Sequence, residues 1–132
     1  MRMRTTTFLA VLSLVVATSF GTAQAQTRIS LKSGESVELG SVYFVANCRS
    51  IMIGLPDIEV LEGPPEITLT VKEGPVLPRR QNCANKVAGG TVIATAKEIK
   101  DRADTKLTYR LKYKTKDGDR QTSSVYNLSL FP

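Results

Sequence analysis

The stretch KLTYRLKYKTKDGDRQTSSVYNLSLF, residues 106–131, decides the fold class because it has the pattern of two β-strands joined by a tight turn. Apolar and polar residues alternate on both sides of Asp117-Gly118, and an Asp-Gly pair between alternating runs is a strong hairpin signal. With Asp117 and Gly118 as the central residues of a primed turn, Tyr109 faces Tyr126 across the hairpin. The sequence therefore predicts an antiparallel hairpin with its large apolar side chains on one inner face.

Four further segments toward the N-terminus are rich in valine, isoleucine, threonine and tyrosine and are predicted strands. They are residues 37–46, 57–63, 66–74 and 91–99, separated by turn-forming stretches such as SGES, GLPD, GPPE and AGG. Short strands at this spacing, without intervening helical patterns, predict an all-β fold. We expect a small antiparallel β-sandwich of immunoglobulin-like architecture, with about six to eight strands and one disulfide; a small β-barrel is the alternative.

The N-terminal segment, residues 1–25, has the features of a secretory signal peptide. The basic start MRMRTTT precedes an apolar run at residues 8–20, and Ala23-Gln24-Ala25 is a small-x-small cleavage site. The run is short for a membrane span, which needs roughly 20 residues. We predict cleavage after Ala25 and export to the periplasm or the extracellular space. The mature chain, residues 26–132, is then expected to be a single soluble domain that is not embedded in a membrane.

Export also bears on the two cysteines, Cys48 and Cys83. An even number of cysteines in an oxidising compartment predicts a disulfide, and two cysteines allow only one intramolecular pairing. Both follow an asparagine and lie at strand ends or in loops rather than inside an alternating run. We expect the bridge to tie the end of the predicted strand at 37–46 to the loop at 75–86, unlike the buried inter-sheet bridge of antibody domains.

The residue types that most enzymes use are scarce in this chain. Histidine is absent, which removes the commonest general base and metal ligand, and a disulfide would consume both thiols. We therefore predict no catalytic residue, no metal site and no cofactor. A small carboxylate-dependent enzyme stays as an alternative, with Asp101/Asp104 and Asp117/Asp119 as the closest acid pairs.

Two surface features are candidates for binding. Arg79 and Arg80 lie on a loop that prolines and Cys83 would constrain, and arginine is a common interface anchor. The outer face of the hairpin carries a basic stripe that would suit an anionic envelope polymer. The stripe consists of Arg110, Lys112, Lys114 and Lys116.

These features predict an exported, non-catalytic binding domain for a protein or an anionic envelope polymer, without assigning a specific role. An inhibitor of a secreted hydrolase or protease that acts through the Arg79-Arg80 loop is the alternative. Without Arg2 and Arg4 the mature chain has 16 basic and 12 acidic residues, a net charge of +4. This charge is moderate and the charges are well mixed, so together with export they argue against nucleic acid as the partner.

Overall fold

A computed structural model describes residues 27–132, which form nine β-strands and one 3-10 turn, with no α-helix in that range. The strands are β1 (Arg28–Lys32), β2 (Ser36–Val42), β3 (Val45–Ala46), β4 (Arg49–Ser50), β5 (Asp57–Glu62), β6 (Ile67–Val76), β7 (Val87–Ala96), β8 (Ala103–Thr115) and β9 (Gly118–Phe131). The 3-10 turn spans Arg79–Gln81. The predicted all-β fold with one disulfide is confirmed. The predicted signal peptide lies outside the described residues.

The strands form two larger sheets and one small ladder. One sheet has the order β1-β9-β8-β5, the other has the order β2-β7-β6, and β3 pairs with β4. All neighbouring strands are antiparallel except β1, which runs parallel to the C-terminal end of β9. Both larger sheets contribute side chains to one core cluster. Its most buried members include Leu31, Leu107 and Leu128 from the first sheet and Val42, Val92 and Ala94 from the second.

β8 and β9 form the predicted hairpin, but the register differs from the sequence expectation by two residues. The central residues of the turn are Lys116 and Asp117, and only the following Gly118 has a positive φ, 108°. The predicted primed turn and the direct pairing of Tyr109 with Tyr126 are therefore wrong. Because side chains alternate with a period of two, a shift of two keeps every side chain on its predicted face. The two tyrosine rings still stack, with centroids 6.0 Å apart.

β1 is a strand that the sequence pattern did not predict. Its pairing partner, the end of β9, lies about a hundred residues further along the chain, beyond the reach of local alternation. An ion pair between Arg28 and Asp104, 3.6 Å apart, connects β1 to β8. The Ser129 hydroxyl lies between them, accepting from Arg28 at 3.0 Å and donating to Asp104 at 2.9 Å.

The AGG segment, residues 88–90, was expected to separate strands and instead lies inside β7. Gly89 and Gly90 are buried, and neighbouring backbones approach both of them closely. A Cβ atom on Gly90 would lie 2.7 Å from the carbonyl oxygen of Lys72 in β6. Glycine is therefore required here for close strand packing, a use that resembles a turn signal when only the sequence is read.

Candidate binding cleft

The disulfide joins the turn between β3 and β4, which contains Cys48, to the loop between β6 and β7, which contains Cys83. The predicted tie between these segments is confirmed. Asn47 and Cys48 have φ values of 51° and 60°, and positive values at both central residues are typical of a tight primed turn. Asn82 ends the 3-10 turn with a φ of 55°. Asparagine tolerates this conformation better than most residues, which accounts for an asparagine before each cysteine.

Arg79 and Arg80 lie in the 3-10 turn of the β6-β7 loop, and both side chains are exposed. Buried residues hold the turn on each side, Pro78 before it and Cys83 after it. Within the turn, the Asn82 N–H donates to the Arg79 carbonyl oxygen at 3.1 Å, and the Cys83 N–H donates to the Pro78 carbonyl oxygen at 3.4 Å. The arginine pair is thus carried by a loop that is fixed at both ends.

A cleft of about 910 Å³ opens between this loop, the chain at the end of β2, and the inner face of β8 and β9. Its rim includes three cationic side chains, those of Arg79, Arg80 and Lys86. Five aromatic side chains also line it: Tyr43, Phe44, Tyr109, Tyr113 and Tyr126. None of the described residues that line the cleft is an aspartate or a glutamate. The cleft is therefore cationic at its rim and aromatic inside.

Contacts among the aromatic residues connect the walls of the cleft. The Tyr126 hydroxyl of β9 donates to the Leu39 carbonyl oxygen of β2 at 2.8 Å, so this bond joins the two larger sheets. The Phe44 and Tyr113 rings lie with their centroids 5.5 Å apart. Burial raises the pKa of the Tyr113 phenol. These contacts hold the aromatic side chains of the inner surface against one another and against β2.

Tyr109 makes the stability of the fold sensitive to alkaline pH. Its side chain is 2% exposed, and burial, with a smaller contribution from Tyr126, raises the pKa of its phenol well above the ordinary value of 10.0. Because the pKa is higher in the folded state, the contribution of this phenol to the free energy of unfolding is fully present below about pH 10. Above that pH it decreases, by up to about 1.4 kcal/mol per pH unit for one proton.

We expect the free energy of unfolding of Tyr109→Phe to decrease less steeply with pH in this range, because phenylalanine keeps the ring and cannot ionise. Urea unfolding of the wild type and of Tyr109→Phe between about pH 9 and pH 11.5 measures the two slopes. The difference between their free energies of unfolding at pH 7, where the phenol is protonated, measures the effect of the lost hydroxyl itself and is subtracted at higher pH. Equal slopes in both proteins would show that Tyr109 ionises as easily in the folded state as in the unfolded state.

The predicted basic stripe is interrupted by a carboxylate from β5. The Oε2 atom of Glu59 lies 2.9 Å from the Lys112 Nζ atom and 3.6 Å from an Arg110 guanidinium nitrogen. The hydrogen bond and charge of Lys112, and the charge of Arg110, hold the pKa of Glu59 below its ordinary value. Lys114 lies at the end of β8 and Lys116 lies in the turn. The role of the stripe in binding stays a prediction. Sequence reasoning missed Glu59 because the pattern of the β8-β9 hairpin does not indicate that β5 pairs with β8.

The acidic residues named for the enzyme alternative lie outside this cleft. Asp104 pairs with Arg28, and Asp119 lies with Asp57 in a second depression of about 500 Å³. That depression is also lined by Lys112, Tyr113, Lys114, Arg120 and Gln121. Within residues 27–132, no group of three or more acidic or cysteine side chains could hold a metal ion.

Comparisons of the chain with protein-family models, with curated proteins and with solved structures found no match. In the described part of the chain, no helix is long and apolar enough to cross a membrane.

Proposed function

We propose that this protein is an exported, non-catalytic binding domain whose cleft receives an acidic segment of a partner protein. One observation carries the proposal: the tied β6-β7 loop brings Arg79 and Arg80 together with Lys86 on the rim of a cleft whose described lining contains no carboxylate. A concave surface whose charged groups have one sign attracts groups of the opposite sign. Carboxylates of a partner are the natural counterpart of this rim.

The composition of the cleft supports protein binding. Tyrosine and arginine are the residue types that most often dominate the energy of protein interfaces, since they combine apolar area with hydrogen-bond donors. Both types line this cleft, with Arg79 and Arg80 at the rim and three tyrosines of β8 and β9 inside. The bridge and the buried Pro78 restrict the loop before binding, so less conformational entropy is lost when a partner arrives.

We further infer that the domain is a sandwich with immunoglobulin-like strand order. With β2 and β5–β9 taken as strands B to G of that fold, the sheet order β2-β7-β6 corresponds to B-E-D and β9-β8-β5 corresponds to G-F-C. The shared core cluster between the sheets supports face-to-face packing. In this arrangement the cleft lies where the first strand of such a domain would cross from one sheet to the other.

The shape of the arginine loop favours this function over inhibition of a secreted hydrolase. A 3-10 turn has three residues per turn, so adjacent side chains diverge by about 120° and only one of the two arginines could enter a specificity pocket. Arg79 and Arg80 border a concave surface of their own domain. An inhibitory loop would instead have to project away from the domain into the cleft of the enzyme.

The double variant Arg79→Ala/Arg80→Ala tests the proposed function. We expect it to weaken binding of the partner by about 10- to 100-fold, because both cationic anchors are lost. The measurement is affinity capture from envelope and culture-supernatant extracts, followed by titration of the captured partner. The melting temperature should change by less than about 3 °C, since both side chains are exposed.

The variant Lys114→Ala/Lys116→Ala is the matched control, because it removes the same charge from the predicted basic stripe. A partner that binds Arg79→Ala/Arg80→Ala as tightly as the wild type would overturn the proposed function. A partner lost only in the lysine variant would instead assign binding to the stripe. Capture of an anionic polysaccharide in place of a protein would contradict the proposed class of partner.

A further inference from the structure

Among residues 27–132, a neighbouring strand covers only part of the outer edge of β9. β1 pairs with β9 from Asn127 to Phe131, and near the start of this pairing the Asn127 N–H donates to the Thr27 carbonyl oxygen at 3.0 Å. Before that point, β9 pairs with β8 on its other side. In the range 27–132, no strand lies against β9 between Asp119 and Val125 on the β1 side, which we call the open edge. An unpaired strand edge is a template for an added strand.

The hydrogen bond between Asn127 and Thr27, next to the first residue of β1, shows which way the backbone groups of β9 point. Successive residues of a strand direct their N–H and C=O groups to opposite sides, and those of Asn127 point toward β1. The backbone groups of Ser123 and Val125 therefore also point toward the open edge. Thr122 precedes Ser123, Ser124 lies between Ser123 and Val125, and both Thr122 and Ser124 line the cleft. The open edge is thus a border of the proposed binding cleft.

The side chains of β1 show how a strand paired with this edge of β9 is oriented. Its Ile29 and Leu31 side chains pack inward, and Leu31 is 1% exposed, while the alternate residues of β1 are exposed. A strand added along the open edge, next to the first residue of β1, would likewise direct every second side chain inward. Tyr109 and Tyr126 line the cleft on that side. The cationic rim of the cleft then lies within the same concave surface. A segment whose inward-facing positions carry both apolar and acidic side chains would match both features.

We propose that the partner binds by strand addition: an extended segment, whose inward-facing positions carry both apolar and acidic side chains, pairs with the open edge of β9. This inference rests on the proposed function, because it uses the same cleft and the same arginine pair. Backbone hydrogen bonds would supply affinity, and the cleft would select the side chains. A second copy of this chain is a poorer occupant, since residues 26–132 carry a net charge of +4 and would bring a cationic rim to a cationic rim.

Ser123→Pro tests the strand addition directly. Proline removes the N–H group that Ser123 directs to the open edge, and it is tolerated on the unpaired side of an edge strand. We expect partner binding to weaken at least about tenfold, because an acceptor of the added strand loses its donor. Ser123→Ala keeps the N–H group and should bind as the wild type does. A Ser123→Pro protein that is folded and binds normally would overturn the proposal.

A library of random peptides of about nine residues, long enough to cover the open edge, serves as a second probe with the wild-type protein. We expect the selected peptides to carry apolar residues and aspartate or glutamate at every second position, the set that faces the cleft, and to slow hydrogen exchange at the Ser123 and Val125 amides at least about tenfold. This readout does not depend on whether the proline variant folds. Light scattering of the protein alone should show a monomer, and a dimer that protects these amides would overturn the proposal.

The outcomes separate this inference from the proposed function. Peptides that require Arg79 and Arg80 but leave the Ser123 and Val125 amides unprotected would overturn strand addition and leave the cleft function standing. Peptides that protect these amides and bind the Arg79→Ala/Arg80→Ala variant unchanged would overturn the role of the arginines. A library that yields no binder of the cleft would count against both.

Discussion

Replacing Cys48 and Cys83 together with alanine is expected to lower the free energy of unfolding by about 3–4 kcal/mol. The bridge joins residues that are 35 positions apart, so its loss restores considerable freedom to the unfolded chain. For a domain whose net stability is about 5–10 kcal/mol, this is a large share. Urea unfolding of the wild type and the double variant at neutral pH measures the difference.

The same substitution should affect the cleft as well as the stability. Cys83 is buried directly after the arginine turn, and without the bridge nothing covalent holds that loop to the turn between β3 and β4. Partner affinity should therefore fall even at temperatures where the double variant is folded. As a control, dithiothreitol should destabilise the wild type and leave the double variant unchanged. Wild type and variant unfolding at the same urea concentration would contradict the predicted contribution of the bridge.

Alanine at Gly89 is expected to cost about 3 kcal/mol of folding free energy. A Cβ atom at this position would overlap the carbonyl oxygen of Val42 in β2 and lie 2.7 Å from the Val76 Cγ2 atom in β6. Neither group can withdraw easily, because one is backbone and the other is a buried side chain. The stability of Gly89→Ala, measured by urea unfolding, checks this prediction.

Gly74 provides the matched control, since it lies directly opposite Gly89 in β6. A Cβ atom on Gly74 would have no atom within 4 Å outside its immediate neighbours in the chain. Gly74→Ala should therefore change the stability by less than about 1 kcal/mol, with a small gain expected from the reduced freedom of the unfolded chain. Equal losses in the two variants would show that close strand approach is not the reason for glycine at position 89.

The β8-β9 hairpin and β1 show which features of this fold local sequence pattern can predict and which it cannot. Alternation assigned the tyrosines of β8 and β9 to the inner face, because side-chain direction depends only on parity along a strand. The same pattern could not place the turn, since Lys116-Asp117 and Asp117-Gly118 both leave the parity intact. β1 was missed for a different reason: it is only five residues long and pairs with the other end of the chain.

The candidate site was predicted in its parts and not as a whole. Arg79, Arg80 and the cysteine bridge were identified from residue type and count, and the bridge is confirmed. The tyrosines that line the cleft were identified only as inward-facing residues. Nothing in the sequence related the β6-β7 loop to the β8-β9 hairpin, and nothing indicated Glu59 beside the basic stripe.

The sequence by itself determined the all-β fold class, the inner and outer faces of the last hairpin, and the pairing of the only two cysteines. These properties depend on local periodicity and on residue counts, which do not change with the arrangement of the strands. Only the tertiary structure decided that Arg79 and Arg80 border an aromatic cleft and that part of β9 has an open edge. Both depend on which strands become neighbours, and long-range pairing is chosen by packing across the whole domain.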